Sequence, residues 1–490
     1  MTAPPRPLTA RTATVTAGAQ MAARALTVLL TAASVAVITR AVGEDGFADW
    51  GTILMLTAMV AFVLDPGIGS VVVRRLAQGG TEAPAPASLL ATRLVLAGAA
   101  YAAIVALTLA LRGEGALALA LVLGAQLLPR AVTMNVGTWL QAEHRLHIQT
   151  ILEAVVMAIG LAALGVAVAM GAGRTALAAC GFLAPAVLLA VAMLRAGAHL
   201  PSRRGREPHE ERAKVRSVLR EAAPLAVAIL LVSVYTRINV VFVNEAEDVS
   251  GLAGFTFAFL FIEQLFVVSA IVAGTLLPMF SERARRVSLA RDRGTLELVW
   301  AVALLGAAAS LVLMAAAKPL VLLLGGSEFE HTDDLLRLLA PTAVALFLNM
   351  TLAYMYVAVE RASAYLRYNL VGLALSIALG ATFTANYGAD AAARVSWITE
   401  LTVATLAAVM FFGRSPEGRR ALVRIGAVVA VVIACSELSS SGGVAGVVAT
   451  ALAAVAVVGA GVRLVAAHGI AARALRRSLR EPSLVPEEPR

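Results

Sequence analysis

Residues Leu219–Arg286 read LREAAPLAVAILLVSVYTRINVVFVNEAEDVSGLAGFTFAFLFIEQLFVVSAIVAGTLLPMFSERARR. Two apolar segments flank a short acidic turn, Glu245, Glu247 and Asp248. Each is long enough to cross the ~30 Å hydrocarbon core of a bilayer. Proline interrupts helical hydrogen bonding, so Pro224 is read as opening the first segment and Pro278 as closing the second. Tyr235, Arg237 and Asn239 sit near the end of the first segment, and Glu263 and Gln264 lie well inside the second. A charge at bilayer depth costs roughly 2.5–3.5 kcal/mol on insertion scales, so these groups imply a polar interior shielded from lipid.

The rest of the chain agrees with that reading. Of its 490 residues, 60% are hydrophobic and 14% charged, and mean hydropathy is +0.84. Soluble domains sit near about 45–50% apolar and about 25% charged, so a large soluble domain is excluded. About fourteen spans are predicted, at 13–39, 47–71, 89–111, 116–140, 148–170, 175–197, 220–243, 252–278, 296–317, 335–358, 364–385, 390–412, 421–438 and 444–466. The predicted fold is an all-α polytopic membrane protein.

The net charge of +9 comes almost wholly from arginine, since Lys214 and Lys318 are the only lysines. With the N-terminus inside, the inner segments hold 30 of the 40 basic residues; the outer turns hold only Arg40, Arg112, Arg174, Lys318 and Arg394. The outer turns are acidic instead: Glu44, Asp45 and Asp49; Glu245, Glu247 and Asp248; Glu328, Glu330, Asp333 and Asp334. That asymmetry sets the orientation, with both termini cytoplasmic in the cell membrane. Positive charge in short loops between spans attracts anionic lipid, and nucleic acid is not an expected partner. The first apolar run is long, carries Arg24 and precedes many more spans, so it is not read as a cleaved signal.

The longest inner loop, 198–219, falls after six spans and is rich in proline and arginine. Beyond it the chain echoes its start: GEDGFADWGTILML follows the first span and EDVSGLAGFTFAFL follows the seventh. The division read from this is a tail 1–12, a lobe 13–197 (spans 1–6), a basic linker 198–219, a second lobe 220–412 (spans 7–12), appended spans 13–14 over 413–466, and a tail 467–490. Parallel six-span repeats of this kind usually enclose a transport path. The last residues, EPSLVPEEPR, have a disordered composition.

Candidate site residues are the polar groups lipid cannot satisfy. On the first span Thr16, Gln20, Arg24, Thr27, Thr31 and Ser34 fall within about an 80° arc at ~100° per residue. The stripe lines a cavity, or else packs helix on helix, since Ser and Thr also serve as small interface residues. Arg130 follows Pro129 and shares a face with Gln126, Thr133, Gly137 and Gln141; an internal ion pair is its alternative role. Thr342, Asn349 and Tyr356 recur every seven residues in span 10. Glu263 has a coupling role or pairs with an arginine such as Arg24 or Arg237. Tyr235 and Asn239 share a helical face from which Arg237 points away. Unless the helix unwinds there, the three cannot line one cavity; Arg237 lines the cavity, or else snorkels outward or pairs with Glu245 or Asp248. Arg93 and Arg337 lie near span ends, within snorkelling reach. Asp65, Glu153 and Glu400 are weaker candidates nearer span ends.

Enzymatic chemistry finds no purchase. There is no Gly-Lys-Ser/Thr phosphate loop, and Gly67-Ile-Gly69 lacks the third glycine of a dinucleotide fingerprint. His144 and His147 have no further Cys or His beside them, and Cys180 and Cys435 each fall inside an apolar run. No catalytic residue, metal or cofactor is expected.

Several stretches resemble the Wzx-type polysaccharide (oligosaccharide) flippases, within the superfamily that also holds multidrug/toxin exporters and the lipid II flippase. They are TRAVGEDGFADWGTILML (39–56), LDPGIGSVVVRRLA (64–77), WLQAEHRLHIQTILEAV (139–155), the opening stretch through LLPMFSERA, and LLLGGSEFEHTDDLLRLLAP (322–341). Asn239 stands where the family motif is usually acidic. The resemblance implies alternating-access export of a polyprenyl-pyrophosphate-linked oligosaccharide. Partners on this reading are that lipid-linked substrate, membrane lipids and polysaccharide polymerase or assembly proteins. A cation-coupled drug exporter, a lipid II flippase and a scaffold of a polysaccharide assembly complex are the alternatives. Arginine suits the pyrophosphate because its planar fork meets phosphate oxygens bidentately, and Arg24 is the preferred phosphate contact.

Overall fold

A computed structural model describes residues 10–460 apart from 66, 78–82, 144, 199–207, 247–248, 441–445, 447, 451 and 458. Both predicted tails (but for residues 10–12), most of the basic linker and much of span 14 therefore lie outside the described residues, as do the side chains of Gln20 and Arg24. Every regular element among the described residues is helical.

Within the described residues the predicted spans are recovered, several of them in fused or broken form. Ten helices are long and apolar enough to cross a membrane among the described residues. Two of them, Leu26–Leu76 and Ser363–Phe412, each contain two predicted spans. Span 14 is represented by the shorter Val448–Val457. Span 7 falls outside that set: its helix, Pro208–Arg237, opens with a charged segment that lowers its hydropathy.

Neither proline marks the boundary expected of it. Helix Pro208–Arg237 runs through Pro224, and helix Val249–Arg286 runs through Pro278. A helix-interior proline forfeits a backbone hydrogen bond, about 3 kcal/mol; tertiary packing beyond each proline offsets that loss. Val218 and Ala222 bury against Ile68, Val72, Leu89 and Trp139, and Phe280 is fully buried.

The sharp reversals are made by glycines. Gly43 (φ 66, ψ −176) bends helix Ala10–Ala61 between spans 1 and 2, and Gly388 (φ 67, ψ −147) bends helix Ala385–Phe412 at the entry to span 12. Gly113 (φ 70, ψ −167) ends span 3 ahead of the 3-10 turn Glu114–Ala116. Gly326 (φ 82, ψ −169) stands in the same way before the 3-10 turn Ser327–Phe329, ahead of span 10. This backbone region is open essentially to glycine alone.

The chain forms two compact units interleaved in sequence. One comprises Met1–Gln264, Ala317–Leu339 and Arg361–Val403; the other comprises Leu265–Ala316, Ala340–Glu360 and Ala404–Arg490. In the first, helix Ala10–Ala61 packs along Leu146–Ala169 and against Pro208–Arg237, while Pro208–Arg237 also packs on Ala362–Leu379. In the second, Arg293–Ala315 is sandwiched by Pro341–Ala358 and Pro416–Ser440.

Candidate functional site: a chain of alternating charges in the first unit

Span 4 is not one helix. Leu117–Ala125 stops, Gln126 intervenes, and Leu127–Ala142 restarts with Pro129 in its first turn. Arg130 follows that break. It is exposed and forms no ion pair or side-chain hydrogen bond among the described residues. Two carboxylates act on its charge, Glu153 of span 5 and Glu263 of span 8.

Both carboxylates are themselves held. Gln149 Nε2 donates to Glu153 Oε1 at 2.8 Å. The Gln149 amide lies so close to Gly137 of span 4 that any Cβ there would displace it. Arg237 Nε donates to Glu263 Oε1 at 2.8 Å, with the arginine side chain 7% and the glutamate 23% exposed. Arg237 Nη1 also donates to the Ser233 carbonyl and hydroxyl and to Thr236 Oγ1. The sequence Glu153, Arg130, Glu263, Arg237 thus alternates in sign across spans 5, 4, 8 and 7. Arg237 neither snorkels nor pairs with Glu245, and Asp248 lies outside the described residues: the guanidinium turns inward to span 8. A paired carboxylate is committed in this state, and an ion coordinated by Glu263 must displace Arg237.

Opposite Arg237, span 7 presents a second polar contact. Tyr235 donates to Glu400 Oε2 at 3.3 Å, and Asn239 Nδ2 to Ser396 Oγ at 3.1 Å. Ser376 Oγ donates to the Tyr235 carbonyl at 3.0 Å. Tyr235, Asn239 and Glu400 are all buried. The helix breaks at Ile238, but the break leaves Arg237 and Asn239 on opposite sides. Asn239 therefore joins helices of the first unit.

The described part of the first-span stripe, Thr27, Thr31 and Ser34, is half-buried. Thr27 Oγ1 donates to the Ala23 carbonyl at 2.9 Å and Thr31 Oγ1 to the Thr27 carbonyl at 2.8 Å. Thr31 also reaches Met157 Sδ of span 5 at 3.7 Å. Their hydroxyls are satisfied within the helix, and at Thr31 the stripe faces span 5. Asn349 is buried in the second unit on a helix with Thr342 and Tyr356; Tyr356 donates to the Ala407 carbonyl at 3.0 Å, a helix–helix contact.

Two charged nodes were underrated from sequence. Arg93 does not snorkel: it is fully buried, donating to Asp65 Oδ2 at 2.9 Å, Thr138 Oγ1 at 3.0 Å and Asn135 Oδ1 at 3.4 Å. Asp65 also accepts from the Gly69 amide at 2.7 Å, which joins the LDPGIG turn to span 3. Arg337 likewise pairs with Asp333 at 2.7 Å and Asp334 at 2.5 Å. For Arg93 the partner lies one predicted span away, which sequence spacing does not report; for Arg337 the signal is local, since Asp333 and Asp334 precede it by four and three residues on one helix.

On the side that the arginine count assigns to the outside, the turns are tied together. Thr39 Oγ1 donates to the Leu324 carbonyl at 2.6 Å, Arg40 Nη2 to Leu323 O at 2.8 Å and the Glu44 amide to Glu328 Oε2 at 3.2 Å. Glu44 Oε1 also accepts from Ser250 at 2.5 Å and meets His331 Nε2 at 3.0 Å. Phe47 meets Phe257 and Phe329 edge-on at 5.8 and 5.6 Å. Asp49 is clamped by Arg112 at 2.7 Å and Arg174 at 2.6 Å. Two of the five arginines and lysines outside are thereby accounted for as structural partners of one acid.

Membrane-length helices, an alternating charge chain and interlocked turns thus occur together within the first unit. A MatE family model matches residues 224–382; no curated protein sequence matches. Among solved structures, a lipid II flippase, MurJ, in an inward closed conformation is 11% identical with a TM-score of 0.69, covering 92% of this chain and 98% of its own. A eukaryotic MATE transporter is 14% identical with a TM-score of 0.60, covering 84% and 97%. A superfamily transporter from Pyrococcus furiosus is 17% identical with a TM-score of 0.55, covering 84% and 94%. The chain has the fold of these transporters.

Proposed function

We propose that the protein exports a polyprenyl-pyrophosphate-linked oligosaccharide, a cell-surface polysaccharide precursor, across the cytoplasmic membrane by alternating access. The observation that carries this reading is Arg130, an exposed guanidinium deep in the predicted spans whose counter-charges among the described residues, Glu153 and Glu263, act at a distance. A pyrophosphate can take over that guanidinium with bidentate contacts stronger than a remote carboxylate provides. Release of the phosphate returns Arg130 to the field of Glu153 and Glu263, so the empty site remains nearly neutral. The matched glycine turns at Gly113 and Gly326 support two repeats that rock against one another. The interlocked turns are consistent with a state closed outward. Glu44, Arg40 and their partners must part when it opens.

Lipid II transport is a second reading, favoured by the 92% of this chain that aligns with MurJ. Both readings require a diphosphate-linked lipid. Drug export fits less well, because it leaves Arg130 without an anionic partner.

The test is Arg130→Gln in a strain lacking the chromosomal copy. Membrane-inserted variant, loss of surface polysaccharide and accumulation of a lipid-linked oligosaccharide support the proposal. Undiminished polysaccharide overturns it. Rescue of a strain depleted of its lipid II flippase selects the second reading.

A further inference from the structure

The charged start of helix Pro208–Arg237 is a rigid structure with two unlike faces. One face is pinned: Val218 and Ala222 pack on Ile68, Val72, Leu89 and Trp139. Glu211, buried, accepts from the Ala85 amide at 2.7 Å at the start of span 3. Glu221 pairs with Arg74 and Arg75, and Arg75 also donates to Ser217 Oγ at 2.9 Å. The helix therefore cannot roll.

The opposite face carries His209, Arg212, Arg216 and Arg220, all exposed. With Ala213 and Ser217 they line a concavity of about 410 Å³. At ~1.5 Å rise and ~100° per residue, the three arginines lie within about an 80° arc at ~6 Å intervals. None of the three forms an ion pair or hydrogen bond among the described residues, although Glu211 and Glu221 on the same helix are engaged elsewhere. Like charges at this spacing repel, and the pinned face holds the three residues on this side of the helix. An anion carrying two adjacent phosphates relieves the repulsion and offers oxygens to more than one guanidinium fork.

We propose that this face is a second anion site, which binds the diphosphate of the lipid-linked substrate at the inner end of span 7 before it enters the charge chain. The identity of the ligand as a headgroup rests on the proposed export function; the site's diphosphate chemistry does not. The site is assigned a loading role because it lies at the charged start of the helix that becomes span 7, whereas Arg130 lies within span 4.

The full-length protein in detergent micelles, titrated with inorganic pyrophosphate at low and high salt, tests the proposal. Wild-type protein and Arg130→Gln are expected to retain salt-sensitive binding that the Arg212→Gln/Arg216→Gln/Arg220→Gln variant weakens at least tenfold. Arg216→Gln alone, a surface change, gives a several-fold loss if the triple variant folds poorly. Absent binding, or equal affinity in wild type and variants, overturns the site. Displacement of pyrophosphate by a short-chain prenyl diphosphate supports a headgroup ligand; failure of that displacement overturns the loading role. A response confined to phosphatidylglycerol vesicles, with none to pyrophosphate, marks a membrane-surface patch and overturns the proposal. If Arg130→Gln leaves surface polysaccharide intact while the triple variant still loses pyrophosphate, the assignment of Arg130 to the transported phosphate fails and this site stands.

Discussion

At the scale of single residues, the arginines divide by the company they keep. Arg93 and Arg237 are buried and directly paired, whereas Arg130 is exposed and only influenced. Removing one partner of a buried pair strands the other charge, at about 3–5 kcal/mol. Asp65→Asn is therefore expected to destabilise the protein by about that amount, read as a lowered midpoint of thermal unfolding in detergent. Replacing Asp65 and Arg93 together with apolar residues of similar volume should recover most of it, because neither charge is then buried alone. A recovery no greater than the single-variant midpoint contradicts the pairing. Glu153→Gln acts in the other direction: with one competing carboxylate neutralised, Arg130 should hold a diphosphate several-fold more tightly in competition binding. Unchanged or weaker binding would remove Glu153 from the charge chain.

At the scale of elements, helix ends rather than helix bodies carry the testable features. Asp292 caps helix Arg293–Ala315, accepting from the Thr295 amide at 2.8 Å and hydroxyl at 2.7 Å, with Arg283 at 3.2 Å. Burial pushes the Asp292 carboxyl up, but the Thr295 hydrogen bonds and Arg283 outweigh it and leave the carboxyl below its usual range. A depressed folded value means that its stabilisation is complete above the unfolded carboxylate value of ~3.9 and is lost as pH falls through the folded value. Asp292→Ala should cost about 1 kcal/mol at neutral pH. The deficit relative to wild type should shrink below about pH 4, and a pH-independent deficit argues against the cap. The glycine turns make a sterner demand. Gly113→Ala and Gly326→Ala each place a side chain in a glycine-only backbone region, at about 1–3 kcal/mol, read by the same unfolding assay.

At the scale of the molecule, orientation and closure are the questions. Ser288→Cys lies on the side counted as inside and Gly173→Cys on the side counted as outside; an impermeant thiol reagent added to intact cells should label only the second. The opposite pattern inverts the map. Closure is tested at the interlocked turns. Glu44→Ala removes the acceptor shared by Ser250 and His331, so labelling at an outer-turn cysteine should rise several-fold if the turns are a latch. Unaltered labelling means that they are merely a rigid rim.

The sequence by itself determined that the chain spans a membrane repeatedly, where most spans fall and which ends carry basic or acidic turns. These follow from local quantities: the length of an apolar run, the side on which arginine collects, and the energetic bar to bare charge in lipid. It also showed that Arg237 and Asn239 diverge, because helical periodicity is local. What it misjudged were matters of partnership. Pro224 and Pro278 looked like boundaries because their cost is local, whereas the packing that offsets it, around Val218 and Phe280, is distant in sequence. Arg93 looked free to snorkel because nothing in its spacing reveals Asp65 beside it, whereas the partners of Arg337, Asp333 and Asp334, are legible at four and three residues' spacing on one helix. Only the tertiary structure decided which opening-stretch charge pairs with which: Glu263 turns to Arg237 and leaves Arg130 uncovered. Charge pairing is a property of distance in space, and a bundle of many helices can satisfy the same periodicity with many different neighbours.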